Sequence, residues 1–462
     1  MTKGRGRIAQ RVGRLATAPL DELVGLFGAW LPVVDRRWGA PARHRLFSPA
    51  RTFWLFLSQV LSADGSCREA VRNFLAWLAR EDLWPASPKT GAYCKARARL
   101  PLGAIVGLHH GVVGQVQTRY AHKDLWCGRA VNVVDGSSVS MPDTPENQAR
   151  YPQSGKSKPG CGFPVMTLVA VFSLATGVLV DVAKGTLRVA EQTLFRQLWR
   201  LWESGDVVLA DRKFCSFADF YFLGLIGVDC VMRNHQRRTV GIERVKRLGK
   251  KDRLIHWLKM KPCPQWLTPE QWKTVPDTLL VREITFCVEI PGFRTQTITV
   301  ATTLLDPKQF PKDAFAHLYR MRWMAELFLR DIKISLGMDV LRCKTPDMVE
   351  KELYMYVIAH NLIRVLLLQA AQTHALSPLR LSFKGTAATV RQWAPIMAAA
   401  PKTVQKRMYA ALLTAIARDP VPLRPNRTEP RARKRRPKNY QLLNAPRHTF
   451  KECPHRNNHR KP

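Results

Sequence analysis

From residue 126 onward, short apolar runs rich in β-branched residues alternate with helical segments, and this alternation limits the chain to few folds. The runs "AVNVVDG", "DVVLADRKF" and "VDCVMRN" predict buried strands, and "SFADFYFLGLIG" predicts a helix between the last two. The apolar stretch from Phe163 to Val180 is interrupted by Ser173, Thr176 and Gly177. It therefore predicts a buried hairpin rather than a membrane span. Strands alternating with helices indicate a mixed α/β core.

The segments that flank this core differ from it in composition. Residues 1–125 contain periodic segments separated by short Gly, Ser and Pro breaks, and they predict a helical N-terminal DNA-binding region. Its last basic helix carries Lys95, Arg97 and Arg99. A helix-turn-helix that reads DNA and a plain helical bundle with a basic surface both suit this pattern. Residues 373–462 predict C-terminal helices followed by a Pro- and Arg-rich basic tail, which we expect to be disordered when free.

The charge balance indicates the class of partner. The 462 residues include 73 Lys and Arg against 35 Asp and Glu, which gives a formal net charge of +38. Self-repulsion of this size is best tolerated when the partner is a polyanion, so nucleic acid is the first expectation. An anionic membrane surface is the competitor, but the basic residues are spread along the chain rather than gathered on one amphipathic helix. The ten cysteines include no C-x-x-C pair, which indicates reduced thiols and a cytoplasmic protein.

The segment "HLYRMRWMAELFLRDIKISLG" predicts an amphipathic helix with four polar residues in one line. These four are Tyr319, Arg322, Glu326 and Lys333. At about 100° per residue they fall within about 60° of arc, beside an apolar stripe. Taken alone, this face would be a solvated surface with an Arg–Glu pair four residues apart.

Two more carboxylates stand where apolar strands are predicted to end, namely Asp135 and Asp211. Strand ends are where an open sheet exposes side chains to a common crevice, although "VVDGS" alone would also suit a turn. Hard divalent cations prefer oxygen ligands, and three carboxylates can hold two Mg²⁺ ions about 4 Å apart. With Glu326 as the third ligand, the sequence predicts a site for phosphodiester cleavage.

These motifs together resemble a known family. Asp135 in "VVDGSSV", Asp211 in "LADRKF" and the pattern Y-x2-R-x3-E-x6-K are similar to the DDE transposases of bacterial insertion sequences. The closest group is the insertion-sequence-four-like one, and the resemblance covers roughly residues 85 to 370. The helix signature is specific because every spacing matches.

The resemblance implies a fold and an activity. The fold is α/β, with a ribonuclease-H-like catalytic core in residues 126–235 and 299–372 and a β-rich insertion in residues 236–298. The activity is cut-and-paste movement of a DNA element, with two Mg²⁺ (or Mn²⁺) ions per active site. The implied partners are double-stranded DNA, as transposon ends and as target, and a second copy in a homodimer that pairs two ends. No membrane is involved, and the protein is expected in the bacterial cytoplasm, associated with the nucleoid.

The resemblance also implies roles for individual residues. The implied catalytic residues and metal ligands are Asp135, Asp211 and Glu326. The residues implied to hold phosphates of the transposon end are Tyr319, Arg322 and Lys333. Arg212 and Lys213 are candidates for contacts with the DNA backbone, with plain surface charge as the alternative.

Two questions stay open from the sequence. Members of the group often form a DNA hairpin, with a Trp of the insertion stacked on a flipped base. This insertion offers Trp257, Trp266 and Trp272, for which roles as buried core aromatics are the alternative. A metal-dependent nuclease without strand transfer and a non-enzymatic, sequence-specific DNA-binding protein are the competing functions. A strand-transfer assay with a pre-cleaved end would separate them.

Overall fold

The structure is a computed structural model that describes residues 21–32, 34, 46–81, 86–120, 124–156, 158, 160–234, 242–288, 296–422, 445–446 and 449. The helices are α1 (Asp21–Phe27), α2 (Pro49–Leu61), α3 (Cys67–Arg80), α4 (Gly91–Arg99), α5 (Leu102–Tyr120), α6 (Pro145–Arg150), α7 (Glu191–Gln197), α8 (Phe217–Leu225), α9 (Pro269–Thr274), α10 (Lys312–Met321), α11 (Trp323–Arg330), α12 (Pro346–Thr373), α13 (Phe383–Ala399) and α14 (Lys402–Ala417). The strands are β1 (Val131–Ser140), β2 (Val165–Ser173), β3 (Leu179–Thr186), β4 (Val207–Ala210), β5 (Asp229–Arg233), β6 (Ile242–Gly249), β7 (Asp252–Leu258), β8 (Thr278–Val288) and β9 (Gln296–Thr302). Short 3₁₀ turns occupy Gly28–Trp30, Trp199–Leu201 and Pro378–Arg380.

The described strands form one nine-stranded sheet in the order β3-β2-β1-β4-β5-β9-β8-β7-β6. β1 is antiparallel to β2 and parallel to β4, and β4 is parallel to β5. The first five strands form a mixed sheet with helices between them in the chain, so the predicted α/β fold class is confirmed, and the ribonuclease-H-like assignment of this core stays a prediction. The four later strands continue the same sheet, because β9 pairs with both β5 and β8.

The predicted hairpin is confirmed as β2 and β3, which pair antiparallel and are almost wholly buried. Its turn depends on Gly177, whose φ of +69° favours glycine. The guanidinium of Arg364, from α12, lies where a side chain at position 177 would have to go. The turn is therefore fixed both by backbone conformation and by the helix packed on it.

β1 continues beyond Asp135, so the prediction that this strand ends at the carboxylate is wrong. Asp135 pairs with Ala170 of β2, and the ladder runs on to Ser140. On its other side, β1 pairs with β4 only through residues 131–133. The polar segment "GSSVS" forms a strand because β2 pairs with it along its whole length. β4 does not extend alongside this segment. Asp135 therefore lies just past the last β1–β4 pair.

The insertion supplies apolar residues to the protein core. Trp257 and Trp272 are 1% and 8% exposed, which makes them core aromatics. Trp266 is half-buried under the guanidinium of Arg196, which lies 4.0 Å from its ring centroid. The domain boundaries at 235/236 and 298/299 stay predictions, and β9 runs across the second of them.

The N-terminal helices pack on α12, the longest helix of the described chain. α12 contacts α2, α5, α13 and α14. It is long and apolar enough to cross a membrane by length and composition, yet 94% of its most apolar window is buried inside the protein. α12 is therefore a core helix around which the helical elements assemble.

The proposed DNA-reading role of Arg97 is wrong. Arg97 is 7% exposed, and its guanidinium donates to Oε1 of Gln59 (3.2 Å) and Sγ of Cys67 (3.1 Å). Its cation also lies 4.7 Å from the ring centroid of Phe56. The spacing of arginines along a short helix does not show whether a guanidinium lies in solvent or forms hydrogen bonds to neutral side chains in the core. The Arg-rich tail, residues 424–441, lies outside the described residues.

Candidate active site

The fold brings two of the predicted carboxylates to the same level of the sheet. Val133 of β1 is the partner of Leu209 in β4. Asp135 lies two residues after Val133, and Asp211 lies two residues after Leu209. Residues two apart in a strand point to the same face of the sheet. Asp211 directly follows the last residue of β4, as the sequence predicts.

Glu326 reaches the same region from α11, which packs against β1. The pKa of Asp135 is raised to about 6, chiefly because the side chain is buried and to a smaller extent because the carboxylates of Glu326 and Asp211 lie near it. The guanidinium of Arg322 and the N–H of Gly136, which donates to Oδ1 of Asp135 at 2.9 Å, act in the opposite direction. The three carboxylates therefore share one electrostatic environment in which Asp135 carries an incompletely compensated charge.

Arg322 is paired with the third carboxylate. Its Nη2 lies 2.8 Å from Oε1 of Glu326, and the two side chains are 18% and 38% exposed. The guanidinium also lies 5.9 Å from the ring centroid of Tyr319. This contact and the ion pair hold Arg322 between an aromatic face and the carboxylate.

Tyr319 is more buried than a phosphate-binding phenol on a solvated face would be. The residue is 6% exposed and packs on Phe286 of β8, with ring centroids 6.2 Å apart. Burial raises the pKa of its hydroxyl to about 12. Its contact with DNA stays a prediction.

The predicted single helix is interrupted, and its last part is a different kind of helix. α10 ends at Met321, α11 begins at Trp323, and a π-helical turn occupies Asp331–Ser335. Lys333 lies in that wider turn, and its Nζ donates to Oγ of Ser137 (3.1 Å) and to the carbonyl of Ser138 (2.7 Å). Lys333 is thereby held on the part of β1 that follows Asp135.

The loop that carries Asp211 is tied down by its own residues and by α7. The N–H of Lys213 donates to Oδ1 of Asp211 at 2.8 Å, and its Nζ lies 2.7 Å from Oε1 of Glu191. Arg212 is exposed beside it. The predicted DNA contacts of Arg212 and Lys213 stay predictions. Sequence reasoning missed Glu191, because a Glu in the first turn of a helix is ordinary and no motif marks it.

In the part of the chain that the structure describes, one group of three side chains has ligand atoms that all lie within 4.8 Å of one another: His109, His110 and Asp181. Nε2 of His109 donates to the carbonyl of Val180 in β3 (3.0 Å), and its Nδ1 accepts from Nδ2 of Asn361 (3.4 Å). Asp181 is paired with Arg200 at 2.8 Å. Burial lowers the pKa of His109 to about 4, so it stays neutral. These contacts form a polar network, buried except for His110, that joins α5 to α12 and to the sheet.

The comparison with protein families identifies the class of this protein. The model of the Transposase DDE domain matches residues 126–362, which include both strands and the helix that carry the three carboxylates. The chain belongs to this family: it is a DDE transposase, an enzyme that cleaves and joins DNA strands. Transposases of this family use divalent metal ions and are normally cytoplasmic.

Two relatives found by sequence agree with this assignment. The chain is 28% identical over 326 residues to the transposase InsG of insertion sequence element IS4 from Escherichia coli (strain K12), which covers 68% of this chain and 70% of that protein. It is 27% identical over 157 residues to the putative transposase InsZ of the same organism, and this match covers 34% of this chain and 47% of that protein. The insertion-sequence resemblance is thus confirmed. A cryo-EM structure of a piggyBac transposase synaptic complex with hairpin DNA is similar over 87% of this chain and 84% of that one, with 10% identity and a TM-score of 0.43.

Proposed function

We propose that this transposase binds the terminal inverted repeats of a mobile DNA element and moves that element by cutting and joining, with Asp135, Asp211 and Glu326 as its catalytic residues. The observation that supports this most directly is the placement of the three carboxylates at one level of the sheet, close enough that Glu326 and Asp211 both act on the charge of Asp135. Acidic groups drawn together in a strongly basic protein need a cation. A structural role for Asp135 would instead pair it with Arg or Lys.

The donor set suits Mg²⁺ or Mn²⁺. Both are hard ions that take carboxylate oxygens, and neither soft sulfur nor imidazole ligands are found among these three residues. We propose two ions per active site. When bound, such a pair supplies an activated water or 3′-hydroxyl and stabilises the leaving oxygen.

The neighbouring side chains orient these ligands. Arg322 holds Oε1 of Glu326 at 2.8 Å, and its guanidinium lies 5.9 Å from the ring centroid of Tyr319. Lys333 is anchored on β1 by Ser137 and Ser138. We propose that Arg322 and Lys333 bind phosphates of the transposon end without leaving these positions.

The remaining contacts concern DNA outside the reacting phosphate. A net charge of +38 suits binding of both the transposon end and the target. Arg212 is exposed next to Asp211, and we propose that it contacts the DNA backbone there. We propose a homodimer as the active assembly, because two transposon ends must be cut and joined together, and a location on the nucleoid in the cytoplasm.

The test is cleavage of a terminal-repeat duplex and its strand transfer into a plasmid, with and without Mg²⁺. Asp135→Ala, Asp211→Ala and Glu326→Ala are each expected to abolish cleavage, because loss of one ligand removes several kcal/mol of metal stabilisation. Binding of the duplex should be retained. Asp306→Ala is the matched control, since Asp306 is an exposed carboxylate whose Oδ1 accepts the N–H of Lys308 in its own loop. Cleavage by any one of the three variants would refute the site.

A further inference from the structure

Glu191 lies against the strand that carries Asp135. It is the first residue of α7, and its carboxylate occupies the space where a Cβ on Gly136 would be. Gly136 directly follows Asp135, so this carboxylate is packed on the backbone of the catalytic strand. The side chain is 21% exposed.

The same residue reaches the second catalytic loop through Lys213. Three parts of Lys213 are held at once. Its Nζ pairs with Glu191 (2.7 Å), its carbonyl accepts from Nε2 of Gln192 (2.6 Å), and its N–H donates to Asp211 (2.8 Å). The start of α7 therefore holds the Asp211 loop by both side chain and main chain.

We propose that Glu191 is a positioning residue that, through Lys213, sets Asp211 at the distance from Asp135 that a shared cation requires. This inference rests on the proposed function of the two aspartates. An isolated ion pair on the surface would contribute little. Glu191 differs from such a pair because it touches the backbone of one catalytic strand while it binds the residue that orients the carboxylate of the other.

The sign of one substitution separates positioning from simple charge. Lys213→Gln removes a positive charge beside the carboxylates, so Coulomb's law alone predicts tighter binding of a divalent cation. If Lys213 acts by holding Asp211, the same variant binds the cation more weakly. Loss of groups that orient metal ligands typically weakens metal affinity by about 10-fold or more, and we expect about 10-fold here.

The experiment measures Mn²⁺ binding to the full-length protein by electron paramagnetic resonance of the free ion, without DNA. Glu191→Gln and Lys213→Gln are each expected to weaken Mn²⁺ binding about 10-fold, and the double variant no more than either alone. Lys184→Gln is the matched control, because Lys184 of β3 forms a similar ion pair with Glu350 of α12 (2.9 Å). The Mn²⁺ affinity of this variant should equal that of wild type.

Two results would overturn the proposal. Tighter Mn²⁺ binding by Lys213→Gln would show that Lys213 acts only through its charge, and additive losses would show that Glu191 binds the ion itself. Asp135→Ala serves as the reference: if it leaves Mn²⁺ binding unchanged, the proposed catalytic site fails rather than the role of Glu191. Thermal unfolding checks that each variant folds. If Glu191→Gln does not fold, Gln192→Ala replaces it in the experiment. This variant removes the hydrogen bond to the Lys213 carbonyl, and it should also weaken Mn²⁺ binding.

Discussion

Replacing Asp135 with Asn should inactivate the enzyme and yet stabilise it when metal is absent. The pKa of Asp135 rises from its ordinary 3.8 to about 6, chiefly because burial disfavours the charged carboxylate. One pKa unit corresponds to about 1.4 kcal/mol, so the ionised group destabilises the fold by about 3 kcal/mol above pH 7, as an upper bound. Asn keeps the oxygen that accepts from the N–H of Gly136 and removes the charge.

The pH dependence gives the sign an independent check. A carboxyl group whose pKa is raised in the folded state binds its proton more tightly there than in the unfolded chain. The wild-type protein should therefore gain stability relative to Asp135→Asn as pH falls from about 7 to about 4, and the difference should vanish near the lower value. Mg²⁺ at neutral pH should stabilise wild type and have little effect on the variant.

The assay is urea or thermal unfolding in EDTA across this pH range. Asp181→Asn is the opposite control. Asp181 is buried, which raises its pKa, but hydrogen bonds from His110 and from the N–H of Val182 leave that pKa below its ordinary value. Asp181→Asn should therefore destabilise the protein at neutral pH. If Asp135→Asn unfolds at or below the wild-type midpoint in EDTA at pH 7.5, then Asp135 carries no uncompensated charge and the reasoning is wrong.

Three further substitutions test neighbouring features. Gly136→Ala should abolish cleavage in a folded protein, because the new Cβ would displace Glu191; a circular dichroism spectrum like that of wild type together with normal cleavage would contradict this. Arg97→Ala should lower the free energy of unfolding by about 2–3 kcal/mol, because it removes two hydrogen bonds and leaves a cavity in the core, whereas exposed Lys95→Ala should change it by less than about 0.5 kcal/mol. Gel-shift competition should show that Arg97→Ala keeps its preference for terminal repeats. Lys333→Ala should reduce the slope of log K against log salt by about 0.9 if it binds a phosphate, and an unchanged slope would restrict Lys333 to its contacts with β1.

The sequence predicted the elements that have strong local signals. The strand before Asp211 is apolar and stops at a charged residue, and its end is where the pattern indicates. The strand at Asp135 also looked complete, but its end is set by pairing with β2, which is distant in sequence. A turn-like composition cannot reveal that a second strand will pair with it.

Site residues that belong to a spaced motif could be predicted from the sequence. Features that depend on contacts between residues distant in sequence could not. The helix signature identified Glu326 and its cation Arg322, which pair at 2.8 Å. The same spacing could not show that Tyr319 is buried or that Lys333 lies in a π-helical turn. Glu191 was missed because its importance comes only from the strand beneath it and the loop beside it.

The position of the insertion in the sheet has a consequence for the solubility of the protein. Because β9 pairs with β5, the sheet continues through β8 and β7 and ends at β6. The outer side of β6 has no strand partner among the described residues. An open strand edge can pair with the edge of another chain and start aggregation. The exposed residues of β6 include Glu243, Arg244, Lys246 and Arg247. Like charges on two such edges repel each other, so the basic character that suits DNA also keeps this strand from joining a second copy into an extended sheet.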